Sequence, residues 1–236
     1  MVQLMTATEY QQLLHETSQS LPFEDEGSLV QIVIKNITTF VDGGNIYAST
    51  EVPIGSGIVD IVAANVIDTT VRGRKPVRLG GQDAYVLSRL FCRQRLTLDT
   101  IARRVNLESK IVERIVQRLI SYGYAKSDGN CYVRIGPMIA DLVAIEGKRR
   151  DWKVALRQAY RNRVFTNQSF VALDARYARP ALENLTDFKK ANIGLAVVFQ
   201  DGRVTLVYTP NKMRPQSTVM PIIAETALTE RISKGK

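Results

Sequence analysis

The sequence predicts an α/β (α+β) fold in which a mixed sheet flanked by helices is interrupted by a helical insert. Three observations point there. Short apolar runs bounded by turn residues alternate with helix-period segments toward both ends of the chain; three consecutive amphipathic helices and a hairpin fill the middle; and the positive charge is gathered in that middle. A chain of 236 residues at 45% hydrophobic content buries a core without disulfide or metal staples. Cys92 and Cys131 stand far apart and His15 is the single histidine, so neither a zinc cluster nor a disulfide framework can be drawn. They read as reduced thiols of a cytoplasmic protein. The stretch MVQLMTATEYQQLLHETSQS has no basic region leading into an unbroken apolar core, and no window reaches about 18 uncharged apolar residues. Neither export nor a membrane partner is expected.

The formal charge of +9 favours a polyanion partner, and its placement sharpens the point. Residues 1–71 carry one basic residue against nine acidic, residues 72–163 carry 21 against eight, and residues 164–236 carry ten against six. Such asymmetry reads as a nucleic-acid footprint; the competing reading is a merely solvated basic surface.

Toward the front, GSLVQIVIKNITTF places Leu29, Ile32, Val33, Ile37 and Phe40 on one helical face. Glu24, Asp25 and Glu26 lie at its start, where the helix dipole favours acids. IYASTEVPI and GIVDIVAANVI read as strands, the second apolar except for Asp60. A carboxylate within a buried strand is costly unless paired, so Asp60 needs a partner.

The middle block gives three short helices from GQDAYVLSRLFCRQ, LTLDTIARRVN and LESKIVERIVQRLISYGY. Their apolar faces are Val86, Leu90 and Phe91; Leu98, Ile101, Ala102 and Val105; and Ile111, Val112, Ile115, Val116 and Leu119. Thr97 and Ser109 stand where caps are wanted, and Val105-Asn106-Leu107 is short enough for a helix-turn-helix corner. Ser127-Asp128-Gly129-Asn130 then supplies a hairpin turn. This order resembles a winged helix over roughly 78–136, within an insert bounded at 73–136. In that geometry the third helix enters the major groove with Ser109, Lys110, Glu113, Arg114, Gln117 and Arg118 on its outer face. Arg103 and Arg104 lie off the apolar stripe, and Lys126 and Arg134 flank the wing within reach of phosphate.

After the insert, DLVAIEGKRRDW is a strand on which Glu146 and Lys148 share one face with Gly147 between them. DWKVALRQAYRNRVF follows as a helix capped by Asp151, with Trp152, Ala155, Leu156 and Ala159 inward and Gln158, Arg161 and Asn162 projecting elsewhere. SFVALD is a strand, PALENLTDFKKAN a helix, and GLAVVFQ and RVTLVYTP a hairpin across Asp201-Gly202. The C-terminal stretch reads as a loop, a short helix and a frayed basic tail. Arg176, Arg179, Lys189 and Lys190 either extend a phosphate-binding surface or are a solvated helix face.

Asp60 in GIVDIV, Glu146-Gly147-Lys148 in VAIEGK, a helix bearing Gln158 and the strand SFVALD together resemble the PD-(D/E)XK nuclease superfamily. Its pattern is helix, three-stranded meander, helix, strand, with an acid on the second strand and (D/E)-x-K on the third. The resemblance covers roughly 24–70 and 138–208, and implies a restriction-endonuclease-like domain over 1–72 and 137–236 with the winged helix inserted between the catalytic strands. The chain departs from the pattern in having Val59 where many members have proline, in the length of that connection, and in Asn162 where one subfamily has an aromatic. Glu26 is a loose match to an extra acid on the first helix.

The resemblance implies phosphodiester hydrolysis with Asp60, Glu146, Lys148 and Gln158 as catalytic residues. Asp60, Glu146 and the Gly147 carbonyl would hold Mg²⁺, with Mn²⁺ as substitute, and Lys148 would orient the nucleophile or help the transition state. Gln158, Arg157 and Arg161 would hold the phosphate backbone. A DNA endonuclease directed by the winged helix is the first expectation, double-stranded DNA its partner and a homodimer the arrangement that would cut both strands. Two alternatives stand beside it. One is a non-catalytic DNA-binding regulator using the fold for dimerisation or sensing; the other is an RNA-processing protein, since charge does not distinguish RNA from DNA.

Overall fold

In the computed structural model, which describes residues 5–55, 57–66 and 74–234, the chain begins with α1 (Ala7–Gln19). A capping box sets its start: the Thr6 hydroxyl accepts from the Glu9 N–H, and the Glu9 carboxylate accepts from the Thr6 N–H. α2 (Glu26–Lys35) is capped by Asp25, which accepts from the Ser28 N–H at 2.7 Å. The helix expected to reach Phe40 stops at Asn36 and passes into a single 3-10 turn, Ile37–Thr39. β1 (Ile46–Ile54) and β2 (Gly57–Val66) form the first hairpin.

The middle block contains α3 (Gly81–Arg89), β3 (Leu96–Thr97), α4 (Leu98–Val105), α5 (Ser109–Ser121), β4 (Ala125–Asp128) and β5 (Cys131–Arg134), the three short strands forming a small sheet in the order β3-β5-β4. Thr97 caps α4 as expected, accepting from the Thr100 N–H. Ser109 does not cap α5. It lies one residue inside the helix and donates to Asp99 Oδ1 at 3.3 Å, while Glu108 takes the cap position without a side-chain bond. Phe91 also departs from expectation. α3 ends at Arg89, so Phe91 loses the helical face and stays 47% exposed, with the Arg104 guanidinium 5.3 Å from its ring centre.

The remainder is β6 (Ile139–Lys148), α6 (Trp152–Asn162), β7 (Gln168–Asp174), α7 (Arg179–Glu183), α8 (Leu185–Ala191), β8 (Gly194–Val198), β9 (Val204–Tyr208) and α9 (Met220–Ser233). The helix expected over 180–192 is broken at Asn184, whose side-chain amide bonds back to the Pro180 carbonyl. The result is mixed α/β with a six-stranded mixed sheet, order β1-β2-β6-β7-β8-β9, and flanking helices. β1, β2 and β6 run as an antiparallel meander despite the long chain between β2 and β6, β6 to β8 are parallel with helices crossing between them, and β9 closes antiparallel.

Three apolar clusters hold this together. One packs Phe23, Leu29, Val33 and Phe40 on Ile61, Val143, Ile145 and Phe170. Another packs Leu13, Trp152, Leu182 and Phe188 on Val171, Leu173 and Val197. The third runs from Val62, Ala64, Leu142 and Ala144 of the sheet through Ile222, Ala227 and Leu228 of α9 to Val86, Ile101, Val112, Ile115 and Leu119 of the insert. Sheet and insert thus share one continuous core.

The C-terminal helix corrects the sequence reading. It has 14 residues and lies half inside that core. Its polar residues escape notice in the sequence because each buried one finds a backbone partner. Thr226 Oγ1 accepts from the Leu79 N–H at 3.2 Å, and Glu225 Oε1 accepts from the Met138 N–H at 2.8 Å. Both ends of the insert are therefore tied to this helix. Among the described residues no helix is long and apolar enough to cross a membrane.

Candidate active site

The β2–β6 ladder pairs Val62 with Ala144 and Ile61 with Ile145, so Asp60 and Glu146 come next, opposite one another, where the ladder ends. Asp60 finds the partner its position demands: its Oδ2 accepts the Gly147 N–H at 2.9 Å and lies 3.8 Å from Lys148 Nζ. Gly147 has a separate reason to be glycine. A Cβ there would come within 3.0 Å of Val30 Cγ2 and 3.2 Å of Leu29 Cδ2, so its absence lets α2 pack directly on β6. That packing delivers Glu26 to Lys148, Nζ to Oε2 at 2.7 Å. Glu146 is 2% exposed; its Oε1 accepts from Asn162 Nδ2 at 2.6 Å, and its Oε2 is buried without a hydrogen-bond partner.

The electrostatics follow from this crowding. Burial pushes the Glu146 carboxyl up to about 7, against the Asn162 hydrogen bond, and the negative charge of the neighbouring Asp60 raises it further. Asp60 is also raised, chiefly by burial, with Lys148 and the Gly147 N–H opposing. Burial pulls the Lys148 ammonium down, yet the bond to Glu26 and the charges of Asp60, Glu26 and Glu146 hold it above its usual value.

Two cavities, each of about 370 Å³, flank the carboxylate pair. The one on the α2 side is lined by Glu26, Gly27, Val30, Gln31, Thr50, Glu51 and Asp60. The other, on the α6 side, brings Glu146, Gln158, Arg161 and Asn162 together with apolar side chains. Sequence reasoning missed two of these residues. Glu51 adopts a left-handed backbone, φ +51°, between the ladder pairs Thr50–Ile61 and Val52–Val59, so the irregularity falls opposite Asp60. Nothing in the strand pattern announces it. Asn162, expected to project away, is buried and bonded to Glu146; its i, i+4 spacing from Gln158 on one helical face was the available signal.

Asp60, Glu146, Gly147, Lys148 and Glu26 are thus brought together, with Gln158 and Arg161 beside them, while Arg157 faces solvent. Among the described residues no group of three or more His, Cys, Asp or Glu side chains is gathered to hold a metal. The donor set is two carboxylates and a nearby carbonyl, which suits a cation that keeps most of its waters. The orphaned Glu146 Oε2 and the two acids raised by burial fit such an ion, because a cation beside them relieves both.

On the insert, Arg103, Arg104, Ser109, Lys110, Arg114, Gln117 and Lys126 are solvent-exposed and Arg134 is half-buried. Arg118 is committed elsewhere. Its guanidinium grips Asp83 of α3 through two hydrogen bonds, the Nε one at 3.0 Å. The guanidinium nonetheless stays partly open to water. No family profile, no curated protein and no solved structure matches the chain.

Proposed function

We propose that this protein is a metal-dependent DNA endonuclease, its sheet domain of the restriction-endonuclease-like kind and its insert a winged helix that brings it to duplex DNA. The observation that carries the reading is the meeting of Asp60, from β2, with Glu146 and Lys148, from β6, at one sheet end beside Glu26. A meander, a helix and a parallel strand supply the expected order around them. Three helices with a small hairpin sheet and an exposed run of Lys110, Arg114 and Gln117 on α5 support the winged-helix assignment.

In this reading Asp60, Glu146 and the Gly147 carbonyl hold Mg²⁺ or Mn²⁺, whose chemistry is to lower the pKa of a bound water and to offset charge on the phosphate. Lys148, kept protonated by Glu26, donates toward the oxygen that gains charge as the phosphodiester breaks. Asn162 fixes the Glu146 rotamer, leaving Oε2 for the site.

The test is plasmid cleavage with Mg²⁺ or Mn²⁺ by the wild type beside Glu146→Ala and Lys148→Ala. Cleavage by the wild type and its loss in both variants is the expected result. Equal, negligible cleavage by all three with duplex binding intact would instead establish a non-catalytic regulator. Parallel titrations against duplex DNA, duplex RNA and single strands identify the nucleic acid, duplex DNA being expected to bind tightest.

A further inference from the structure

The cavity on the α6 side of the carboxylate pair is poorly suited to a phosphate chain. Ile58, Val59, Phe165 and Met220 contribute apolar wall, and among the described residues Arg161 is its one cation. A phosphate backbone asks for donors, yet the cavity offers buried acceptors. One of them, Glu146 Oε2, is accounted for by the cation of the proposed reaction. The other, Gln158 Oε1, is fully buried and has no hydrogen-bond partner; the phosphate contact expected of Gln158 would use its amide N–H and leaves this oxygen unclaimed. Buried side-chain acceptors are ordinarily paired, so the cavity is shaped for a ligand that carries an N–H donor into an apolar chamber. Ile58 adds a second sign: it is the second residue of β2, lines the cavity and is 66% exposed, an apolar surface that a flat ligand would cover.

We propose that this cavity receives one unpaired nucleobase of the strand being cut, with Gln158 Oε1 accepting an N–H from the base edge and Arg161 holding the phosphate next to it. A nucleobase alone among the parts of a nucleic acid has apolar faces together with an edge of N–H donors, and about 370 Å³ lies within the size range of small-ligand pockets. The inference rests on the nuclease reading of the adjoining site and adds a substrate class: DNA with a mismatched, bulged or single-stranded nucleotide. Unpaired bases cost least to extract from the stack, so such sites would be preferred over perfect duplex.

The experiment uses the full chain and a duplex carrying 2-aminopurine at one unpaired position, whose exocyclic amino group supplies the donor. Fluorescence is read at saturating protein with Ca²⁺ present, so that site occupancy does not depend on affinity, and cleavage is followed separately with Mg²⁺. A several-fold rise with the wild type, reduced by Gln158→Leu and abolished by Met220→Trp, which fills the chamber, is expected. Should Met220→Trp not fold, the Gln158→Leu comparison decides alone. Cleavage with no fluorescence rise overturns the base pocket and leaves the nuclease reading standing. Equal rises in wild type and both variants place the extracted base elsewhere and also overturn it. Absence of both nucleic-acid binding and cleavage by the wild type removes the two readings together.

Discussion

The Gly147 N–H donates to the Asp60 carboxylate at 2.9 Å at the point where the β2–β6 ladder ends, and the negative charge of that carboxylate bears on the adjacent, buried Glu146. Two acids held this close do not both ionise cheaply. Glu146 titrates near 7 in the folded chain against 4.5 ordinarily, so folding retains a proton that the unfolded chain has lost. The contribution to stability is full below the unfolded value and is lost as pH rises through about 7, and Asp60, also raised, acts in the same direction. Without divalent cations the melting temperature should therefore fall between about pH 5 and pH 8 more steeply for wild type than for Glu146→Gln, with the variant the more stable at the upper end. Glu225 is likewise raised by burial but is common to both proteins and cancels in the difference. Parallel melting curves would refute the coupling.

A cation in place of the proton that Glu146 retains reverses the penalty. At pH 8, Mg²⁺ should stabilise the wild type by about 2.7 kcal/mol at a hundredfold excess over its dissociation constant, an effect abolished by a chelator. Glu146→Gln and Asp60→Asn should show little of it. Below about pH 7 the ion competes with the proton, and its apparent affinity should weaken by up to about tenfold per pH unit. Calorimetric titration at three pH values measures both.

The sheet was legible because β2, β6 and β7 each carry a run of four or more residues dominated by apolar side chains, and Asp60 stood out as the lone acid in the first of them. Glu146 and Lys148 were legible as partners from strand alternation alone, and they do converge with Asp60. What escaped was set by tertiary contact. Glu51 takes a left-handed backbone where the β1–β2 ladder skips the position opposite Asp60, Asn162 is bonded inward to Glu146, and the buried Glu225 is paired with a backbone N–H 87 residues away. Periodicity reads one element at a time, and each of these depends on two.

If α5 binds DNA as proposed, Arg118 and its neighbours should separate into structural cations and binding ones. The Arg118–Asp83 pair joins α3 to α5 with Asp83 largely buried, whereas the arginine itself is partly open to water. Discounted for that screening, Arg118→Ala and Asp83→Ala should each cost about 1 kcal/mol of stability, the double variant costing little more than either. Lys110→Ala and Arg114→Ala should leave stability within about 0.5 kcal/mol of wild type. Each should weaken duplex binding and flatten its salt dependence by a slope of about 1. Urea denaturation and binding at several salt concentrations test the division.

Leu228 of α9 is 1% exposed in the cluster that also contains Val62 and Ala144 of the sheet and Ile115 and Leu119 of the insert. Truncating it removes contacts from both sides of one core, since the space it leaves is bordered by elements that are themselves tied together through Thr226 and Leu79 and through Glu225 and Met138. Leu228→Ala should cost about 2–5 kcal/mol, the range for large-to-small changes in a packed interior. The more telling measurement is where the loss falls. In a shared core, amide hydrogen exchange should accelerate together in α3–α5 and in the β1–β2–β6 meander. Loss of protection confined to residues 74–138 would mean that the insert opens by itself and that α9 belongs to it alone. Concerted loss would mean that a ligand ordering the insert also stabilises the strands that carry Asp60 and Glu146, coupling recognition to the site through the packing of one helix.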